Sequence, residues 1–178
     1  LAPVTWIFGR WKKLLAKLFN ADGVHPITAD ELLTIVEEAE TEGSIDTDQS
    51  ELIQNAIEFN DLEAWDVLTP RVDIKAIEID ETQDEIAELF LSTGFSRLPV
   101  YEDDLDNIVG VLNQKDFHNY IKGTDTPISE YVKPVIFVAG SMKIAQLLKR
   151  LQTVKTHIAI IVDEYGGTSG LVTMEDII

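Results

Sequence analysis

The chain has 178 residues and a mass of 19.9 kDa, the size of one domain or of two small ones. Its 14 Lys and Arg against 32 Asp and Glu give a formal net charge of −18, which argues against nucleic acid as the main partner because phosphate binding needs clustered basic residues. The absence of cysteine excludes a disulfide framework, a thiolate metal site and a cysteine nucleophile.

The first 19 residues differ in charge from the rest of the chain. They contain four basic residues and no acid, and tryptophan, leucine, isoleucine and phenylalanine interleave with these bases at helical spacing. A basic amphipathic helix of this kind is typical of a membrane-surface segment. We therefore predict a juxtamembrane helix over residues 1–20, with a helix docked on its own domain as the alternative. No apolar run approaches the roughly 18 residues that a membrane span requires.

An acidic helical linker is predicted over residues 21–62, which contain 12 acids and no base. Thr28 with Glu31 forms the capping-box pattern that begins a helix, and Gly43 is expected to end it. A second helix is predicted to begin near Thr47 and to run to residue 59. Solvated acidic faces explain this charge. A Mg²⁺-responsive surface is the alternative, because a divalent cation would relieve the repulsion between massed carboxylates.

From residue 63 onward, short strands alternate with helices and the pattern repeats. A shift of 60 residues pairs Gly110 with Gly170 and Asp116 with Asp176, and it also pairs Leu98 with Ile158. The chain therefore contains two copies of one β-α-β-β-α unit. The elements predicted for the first copy are a strand at 74–79, a helix from Thr82, strands at 97–101 and 108–112, and a helix from 114. Those predicted for the second copy are a strand at 135–138, a helix at 142–152, strands at 158–162 and 170–173, and a helix from 175.

Two runs make the repeat specific, "FSRLPVYEDDLDNIVGVLNQKDF" in the first copy and "THIAIIVDEYGGTSGLVTMEDII" in the second. They resemble the CorC/cyclin M family of magnesium and cobalt transport proteins, often labelled hemolysin-like, which carry a tandem pair of cystathionine-β-synthase (CBS) domains. The resemblance implies an α+β fold with CBS domain 1 at 63–122 and CBS domain 2 at 123–178, truncated in its last helix. Because such proteins have a membrane domain before the linker, we expect this chain to be a soluble fragment from the cytoplasmic face of the cell membrane.

The tract "GLVTMED" places Thr173 at a strand–helix junction and Asp176 in the first helical turn. By spacing alone, these residues either cap the helix or bind a ligand, since an Asp can accept two ribose hydroxyls and a Thr hydroxyl can bond a sugar or phosphate oxygen. The resemblance favours the ligand, because Thr-x-x-Asp matches the family's ribose-binding motif. In the first copy Asn113 replaces the threonine while Asp116 is retained, so its cleft is the weaker candidate.

The resemblance also implies partners for the phosphates. Arg97 matches the family position that reaches ATP phosphates; its alternative role is a surface salt bridge with Asp103 or Asp104, worth little energy. Thr69 and Thr156 are hydroxyls that the resemblance places beside the same nucleotide.

Other residues support weaker expectations. Arg71 could assist at the phosphates or point to solvent, and Tyr101 could stack on adenine or be an ordinary half-buried strand residue. The three histidines show no i, i+4 pairing and no HExxH, and the sequence has no GxSxG or Walker loop. We therefore predict neither enzymatic activity nor a metal site built from protein side chains.

Two functional hypotheses remain. The first is a regulatory module that binds an adenine nucleotide, with Mg²⁺-ATP favoured and the Mg²⁺ held through the phosphates, and couples it to a membrane domain that transports magnesium or cobalt. The alternative is a ligand-free structural dimerisation module of the same membrane protein. A homodimer is expected because the helices at 86–91 and 144–151 carry more apolar residues than one small sheet face needs.

Overall fold

The computed structural model describes residues 27–178, and the juxtamembrane helix predicted over residues 1–20 lies outside them. The chain divides into two compact units, the first ending at Ile57 and the second running from Glu58 to Ile178. Among the described helices, none combines the length and the apolar character needed to cross a membrane.

The first unit contains the acidic linker helices, α1 (Ala29–Thr41) and most of α2 (Thr47–Phe59). The predicted capping box is present, because the Glu31 amide donates to Thr28 Oγ at 3.3 Å and the Thr28 amide donates to the Glu31 carboxylate at 3.1 Å. Gly43 follows α1 with φ +76°, a conformation that favours glycine. Every side chain of α1 is at least partly exposed, as expected for a helix rich in acids.

The second unit contains both copies of the repeat, and each copy contributes one sheet. The first copy forms a three-stranded sheet in the order β2 (Ile77–Glu78), β3 (Arg97–Glu102), β4 (Asp104–Asn113). The second forms a four-stranded sheet in the order β1 (Thr69–Pro70), β7 (Thr168–Thr173), β6 (Ile158–Val162), β5 (Ile136–Ala139). In both sheets the first strand of the copy pairs in parallel with the next, which pairs antiparallel with the last. The predicted α+β CBS-pair fold is confirmed. The elements of this unit are α3 (Ala64–Val67), β1 (Thr69–Pro70), β2 (Ile77–Glu78), α4 (Gln83–Thr93), β3 (Arg97–Glu102), β4 (Asp104–Asn113), α5 (Gln114–Asp116) continuing as a π-helical turn (Phe117–Ile121), β5 (Ile136–Ala139), α6 (Ile144–Val154), β6 (Ile158–Val162), β7 (Thr168–Thr173) and α7 (Met174–Ile177).

The two copies exchange short segments. Strand β1 lies at the start of the first copy but pairs with β7 of the second, with Thr69 opposite Leu171. Lys133, near the start of the second copy, bridges in the same way to Val111 of β4 in the first, with both backbone amide–carbonyl bonds at 2.9 Å. Two glycines allow these close approaches, since a Cβ at Gly170 would collide with the Thr69 carbonyl oxygen. A Cβ at Gly110 would likewise collide with the Lys133 carbonyl oxygen.

The strand predicted at 74–79 is reduced to Ile77–Glu78. Arg71–Asp73 instead form a 3₁₀ turn, closed by the Ile74 amide donating to the Arg71 carbonyl at 3.2 Å. Ile74 and Ile77 consequently pack in different places. Ile77 lies in the core of the first copy, whereas Ile74 joins the cluster between the two sheets together with residues of β4, β6 and β7. The alternating apolar residues that predict one strand therefore pack into two separate hydrophobic clusters.

The repeat alignment of Leu98 with Ile158 is wrong by one residue. Leu98 pairs with Leu112 and Ala159 pairs with Val172, so the counterpart of Leu98 is Ala159. The physical reason is that the β3–β4 hairpin contains two register shifts and the β6–β7 hairpin only one. The shift of 60 holds for β4 and β7 and becomes 61 for β3 and β6.

Candidate functional site

A cavity of about 390 Å³ opens in the second unit where the two copies meet, a size within the usual range of ligand pockets. Four pieces of chain line it: the exchanged strand β1 with the segment that follows it, the turn between α4 and β3 with the start of β3, the first residue of β6, and the junction of β7 with α7. The lining residues are Thr69, Asp73, Ile74, Lys75, Gly94, Phe95, Ser96, Arg97, Pro99, Ile158, Leu171, Thr173, Glu175 and Asp176.

The structure brings four of the five sequence-predicted residues of the stronger cleft to this cavity. Thr173 and Asp176 contribute from the second copy, Arg97 from the first, and Thr69 from the strand that crosses between them. Thr156 does not line it, and the Thr156 hydroxyl lies 3.5 Å from the Ile158 carbonyl oxygen instead. Thr156 lies instead on the turn between α6 and β6, which is the counterpart in the second copy of the α4–β3 turn that lines the cavity in the first.

Thr173 and Asp176 form a capping box at the start of α7. The Thr173 amide and hydroxyl donate to Asp176 Oδ2 at 2.8 and 2.7 Å, and the Asp176 amide donates to Thr173 Oγ at 3.3 Å. The two alternatives from the sequence therefore coincide in position, since these residues cap the helix and also line the cavity. All three bonds leave Asp176 Oδ1 unused, so the carboxylate keeps one acceptor oxygen for another donor.

Arg97 is half-buried at the start of β3, and its guanidinium lies 3.8 Å from the Glu175 carboxylate. The alternative salt bridge with Asp103 or Asp104 is absent from the ion pairs of the described residues, because Arg97 begins β3 and the two aspartates follow the far end of that strand. The charged side chains of the cavity are two bases, Lys75 and Arg97, and three carboxylates, Asp73, Glu175 and Asp176, which gives 2 − 3 = −1. A partly exposed ion pair at 3.8 Å contributes little to stability, so Arg97 can exchange Glu175 for another anion at low cost.

Arg71 lies outside the cavity lining and ties the two copies together. It donates to Asp106 and, at 2.8 Å, to Asp104, both on β4 of the first copy. It also donates at 3.1 Å to the carbonyl oxygen of Thr168, on β7 of the second. The bond from Arg71 and a second one from the Thr168 amide hold the pKa of Asp106 below its ordinary value. Arg71 thus fixes the chain between Thr69 and the lining residues beyond it.

Tyr101 is a half-buried residue of β3 that does not line the cavity, and burial raises the pKa of its phenol.

The weaker cleft predicted at Asn113 and Asp116 is arranged differently. Lys133 Nζ donates to Asp116 Oδ2 at 2.6 Å, and Asn113 Nδ2 donates to the same oxygen at 2.9 Å. These two bonds, the lysine's being the larger cause, hold the pKa of Asp116 below its ordinary value. Asp116 is thus already paired with a cation of its own chain.

Sequence reasoning missed Lys75, Phe95 and Glu175 as lining residues. Lys75 and Phe95 lie in the loops before β2 and β3. The paths of these loops depend on how the two sheets are assembled, which the local sequence does not indicate. Glu175 could have been inferred, because it stands inside the Thr-x-x-Asp motif. Within residues 27–178, no three histidine or carboxylate side chains come together as ligands for a metal ion.

Comparison with known proteins places these observations among relatives. Residues 64–123 and 128–178 each match the CBS domain family. The "UPF0053 protein YugS" of Bacillus subtilis is 37% identical over 169 residues, which cover 92% of this chain and 39% of that protein. The chain spans between 24% and 44% of the length of the curated relatives that it matches.

Two solved structures are similar and contain nucleotides. One is the CBS domain of a bacterial CNNM/CorC family Mg²⁺ transporter in complex with ATP, with 38% identity and a TM-score of 0.68 over 73% of this chain and 94% of that chain. The other is a CBS-domain pair with bound AMP from Klebsiella pneumoniae, with 26% identity and a TM-score of 0.56 over 65% of this chain and 94% of that one.

Proposed function

The chain belongs to the CBS-domain family, and its tandem pair is of the kind found in CNNM/CorC family Mg²⁺ transporters; on this premise we propose that it is a regulatory module that binds an adenine nucleotide. The proposed site is the cavity lined by Thr69, Arg97, Thr173 and Asp176. In the longer protein, the module would act at the cytoplasmic face of the membrane and bias a domain that transports divalent cations, magnesium or cobalt.

The observation that carries this proposal is the chemical composition of one cavity. Asp176 and Thr173 offer a carboxylate and a hydroxyl, which suit the hydroxyls of a ribose. Lys75 and Arg97 supply the two bases of the lining, and charge-assisted bonds to phosphate oxygens are strong. The buried side chains of Ile74, Pro99, Ile158 and Leu171 provide an apolar wall for a purine. The cavity thus has a complementary group for each part of a nucleotide: the ribose, the phosphates and the purine ring.

The charge of the cavity supports Mg²⁺-ATP over the bare nucleotide. Two bases among three carboxylates leave a formal charge of −1, which by itself repels a triphosphate. When bound through the phosphates, Mg²⁺ supplies positive charge that offsets this repulsion. In this proposal the protein contributes Lys75 and Arg97 to the phosphates and holds no metal ligand of its own.

The path of the chain supports coupling to the linker. After α2, residues 61–65 are held against the second copy. The Ala64 amide donates to the Met142 carbonyl at 2.9 Å and the Trp65 amide to the Gly140 carbonyl at 3.0 Å, while Lys143 Nζ lies 3.1 Å from the Glu63 carboxylate. Four residues later the chain reaches Thr69 in the cavity. A ligand that binds one arrangement of the copies better shifts the population toward it, and this short connection would pass the shift to the acidic helices.

Titration calorimetry with ATP, with and without Mg²⁺, tests the proposal. We expect saturable binding that is tighter with Mg²⁺ and that Thr173→Ile removes, because isoleucine keeps the strand but replaces a hydroxyl by a bulkier apolar group. Circular dichroism checks that the variant folds. No heat and no thermal shift at millimolar ATP would leave the ligand-free dimerisation module as the better account.

The homodimer remains a proposal. The structure leaves fewer apolar side chains exposed on α4 and α6 than the sequence pattern predicts. Most apolar side chains of α4 and α6 are buried in, or packed against, the cores of their own copies. The apolar residues that remain for a partner are Leu91, 84% exposed, and Val154, 53% exposed. Light scattering at tens of micromolar tests this proposal, and a monomeric mass would contradict it.

A further inference from the structure

The cleft of the first copy differs from the proposed nucleotide cleft in one ion pair, because the Asp116 carboxylate is paired with Lys133. We propose that Lys133 is a built-in cation that closes the Asn113–Asp116 cleft to nucleotides, so that each chain binds a single nucleotide, at Thr173 and Asp176. This inference rests on the proposed function. It identifies the residue that sets the number of sites.

Lys133 occupies in the first copy the position that Thr69 occupies in the second. Thr69 stands opposite Leu171 and Lys133 stands opposite Val111, and Val111 and Leu171 are themselves counterparts at the shift of 60 that holds for β4 and β7. Both backbones are pressed against a glycine of the facing strand, as the collisions of an added Cβ at Gly110 and Gly170 indicate. The backbones therefore match, and the side chains differ.

The difference between Thr69 and Lys133 changes which groups donate hydrogen bonds to the aspartate of each cleft. At the start of α7, Asp176 Oδ2 accepts only from the amide and hydroxyl of Thr173 among the described groups. In the first copy, Asp116 Oδ2 accepts from the Lys133 ammonium at 2.6 Å and from the Asn113 amide group at 2.9 Å. The Asp116 side chain is 18% exposed. Both bonds go to Oδ2, so Asp116 Oδ1, like Asp176 Oδ1, has no donor among the described groups. The two clefts differ because the Asp116 carboxylate is paired with an ammonium group and the Asp176 carboxylate is not.

The neighbouring charges act in the same direction. Glu175 beside Asp176 has Lys115 as its counterpart beside Asp116, and Lys115 also acts on Asp116 electrostatically. The carboxylate that would receive a ribose is therefore neutralised by its own chain in the first copy. At the cleft of Thr173 and Asp176, the two basic residues of the lining come from the first copy, and Arg97 has only its 3.8 Å pair with Glu175 to exchange for an external anion.

The test counts and locates sites in the intact chain. AMP and ATP are titrated into the wild type and into the double variant Lys133→Thr/Asn113→Thr, which copies the residues of the second cleft into the first. Calorimetry gives the stoichiometry, and amide shifts in ¹⁵N NMR spectra report separately on residues 113–116 and 173–176. Lys122→Thr, an exposed lysine of the first copy outside the ion pairs of the described residues, is the matched control.

We expect one site in the wild type and in Lys122→Thr, with shifts at 173–176. The double variant should show two sites, with new shifts at 113–116 and affinity there raised roughly tenfold or more. Lys133→Thr alone should open the cleft partly. Adding Asp116→Ala to the double variant should remove the new site and leave the first.

The outcomes separate the two proposals. If the wild type binds at 173–176 and the folded double variant gains nothing at 113–116, the role of Lys133 is refuted while the proposed function stands. Binding at both clefts of the wild type also refutes it. If no variant shows shifts at either place, the proposed function itself fails. Melting temperatures verify that each variant is folded, and the large exposed fraction of the Lys133 side chain, 58%, makes unfolding by Lys133→Thr unexpected.

Discussion

Replacing Asp176 by alanine tests the proposed site most directly, because this carboxylate has two separable roles. Oδ2 accepts two of the three hydrogen bonds of the capping box, the third runs from the Asp176 amide to Thr173 Oγ, and Oδ1 accepts none of them. If Oδ1 accepts even one ribose hydroxyl, Asp176→Ala removes a bond to a charged group. Such a bond is worth about 1.5–3 kcal/mol, so ATP affinity should fall roughly 10- to 150-fold. The loss of the cap should cost at most about 1 kcal/mol of stability.

A matched control separates these roles. Thr82 and Glu85 form the same box at the start of α4, with the Thr82 hydroxyl donating to the Glu85 carboxylate at 2.6 Å and the Thr82 amide at 3.1 Å. Glu85→Ala should therefore reduce stability and leave ATP affinity unchanged, since neither residue lines the cavity. Calorimetry gives the affinities, and chemical denaturation gives the free energies of unfolding. Equal losses of affinity in Asp176→Ala and Glu85→Ala would refute the reasoning. So would a loss in Asp116→Ala that Asp176→Ala does not show.

Three further predictions follow from other contacts. Arg97→Ala should weaken ATP more than adenosine in calorimetry, because its proposed partner is phosphate; equal weakening would contradict that role. Arg71 lowers the pKa of Asp106, so its stabilising effect is present above the ordinary carboxylate pKa and is lost as the pH falls through the lowered value. Arg71→Gln should flatten this acid limb of the unfolding free energy, and an unchanged limb would contradict the assignment. Lys155 ends α6 with φ +59° where its counterpart Gly94 ends α4 with φ +69°, so Lys155→Gly should raise the unfolding free energy by about 1 kcal/mol, and a decrease would count against strain there.

How much the sequence could predict depends on whether the signal is local. The capping boxes at Thr28, Thr82 and Thr173 are complete within four residues. The box predicted at Thr28 is present, the helix predicted from Thr82 begins with one, and Thr173 forms one where the sequence left capping and ligand binding as alternatives. The position of Thr69 in the candidate site could be predicted only from the family resemblance. The contact depends on a two-residue strand that joins the sheet of the other copy, and two residues have no periodicity.

Thr156 and Lys75 show the same limit in opposite ways. The family resemblance predicts Thr156 at the stronger cleft, but Thr156 lies on the turn of the second copy, whereas the equivalent turn of the first copy lines the cavity. Lys75 was treated as part of a strand, and the 3₁₀ turn before it brings it into the cavity lining instead. In both cases the decisive information is the path of the backbone between the two copies, which hydrophobic patterns do not record.

The exchanged segments have a consequence for how the protein comes apart. Each sheet has one edge covered by backbone that belongs to the opposite copy, β1 on β7 and Lys133 on β4. A fragment containing a single repeat would expose that edge, which is a template for aggregation. We therefore expect residues 58–178 to melt in one cooperative transition and the separated halves to be insoluble unless they are co-expressed. The two copies can therefore assemble only if residues 110 and 170 are glycine. The smallest part of this fold that we expect to fold independently is the pair of repeats.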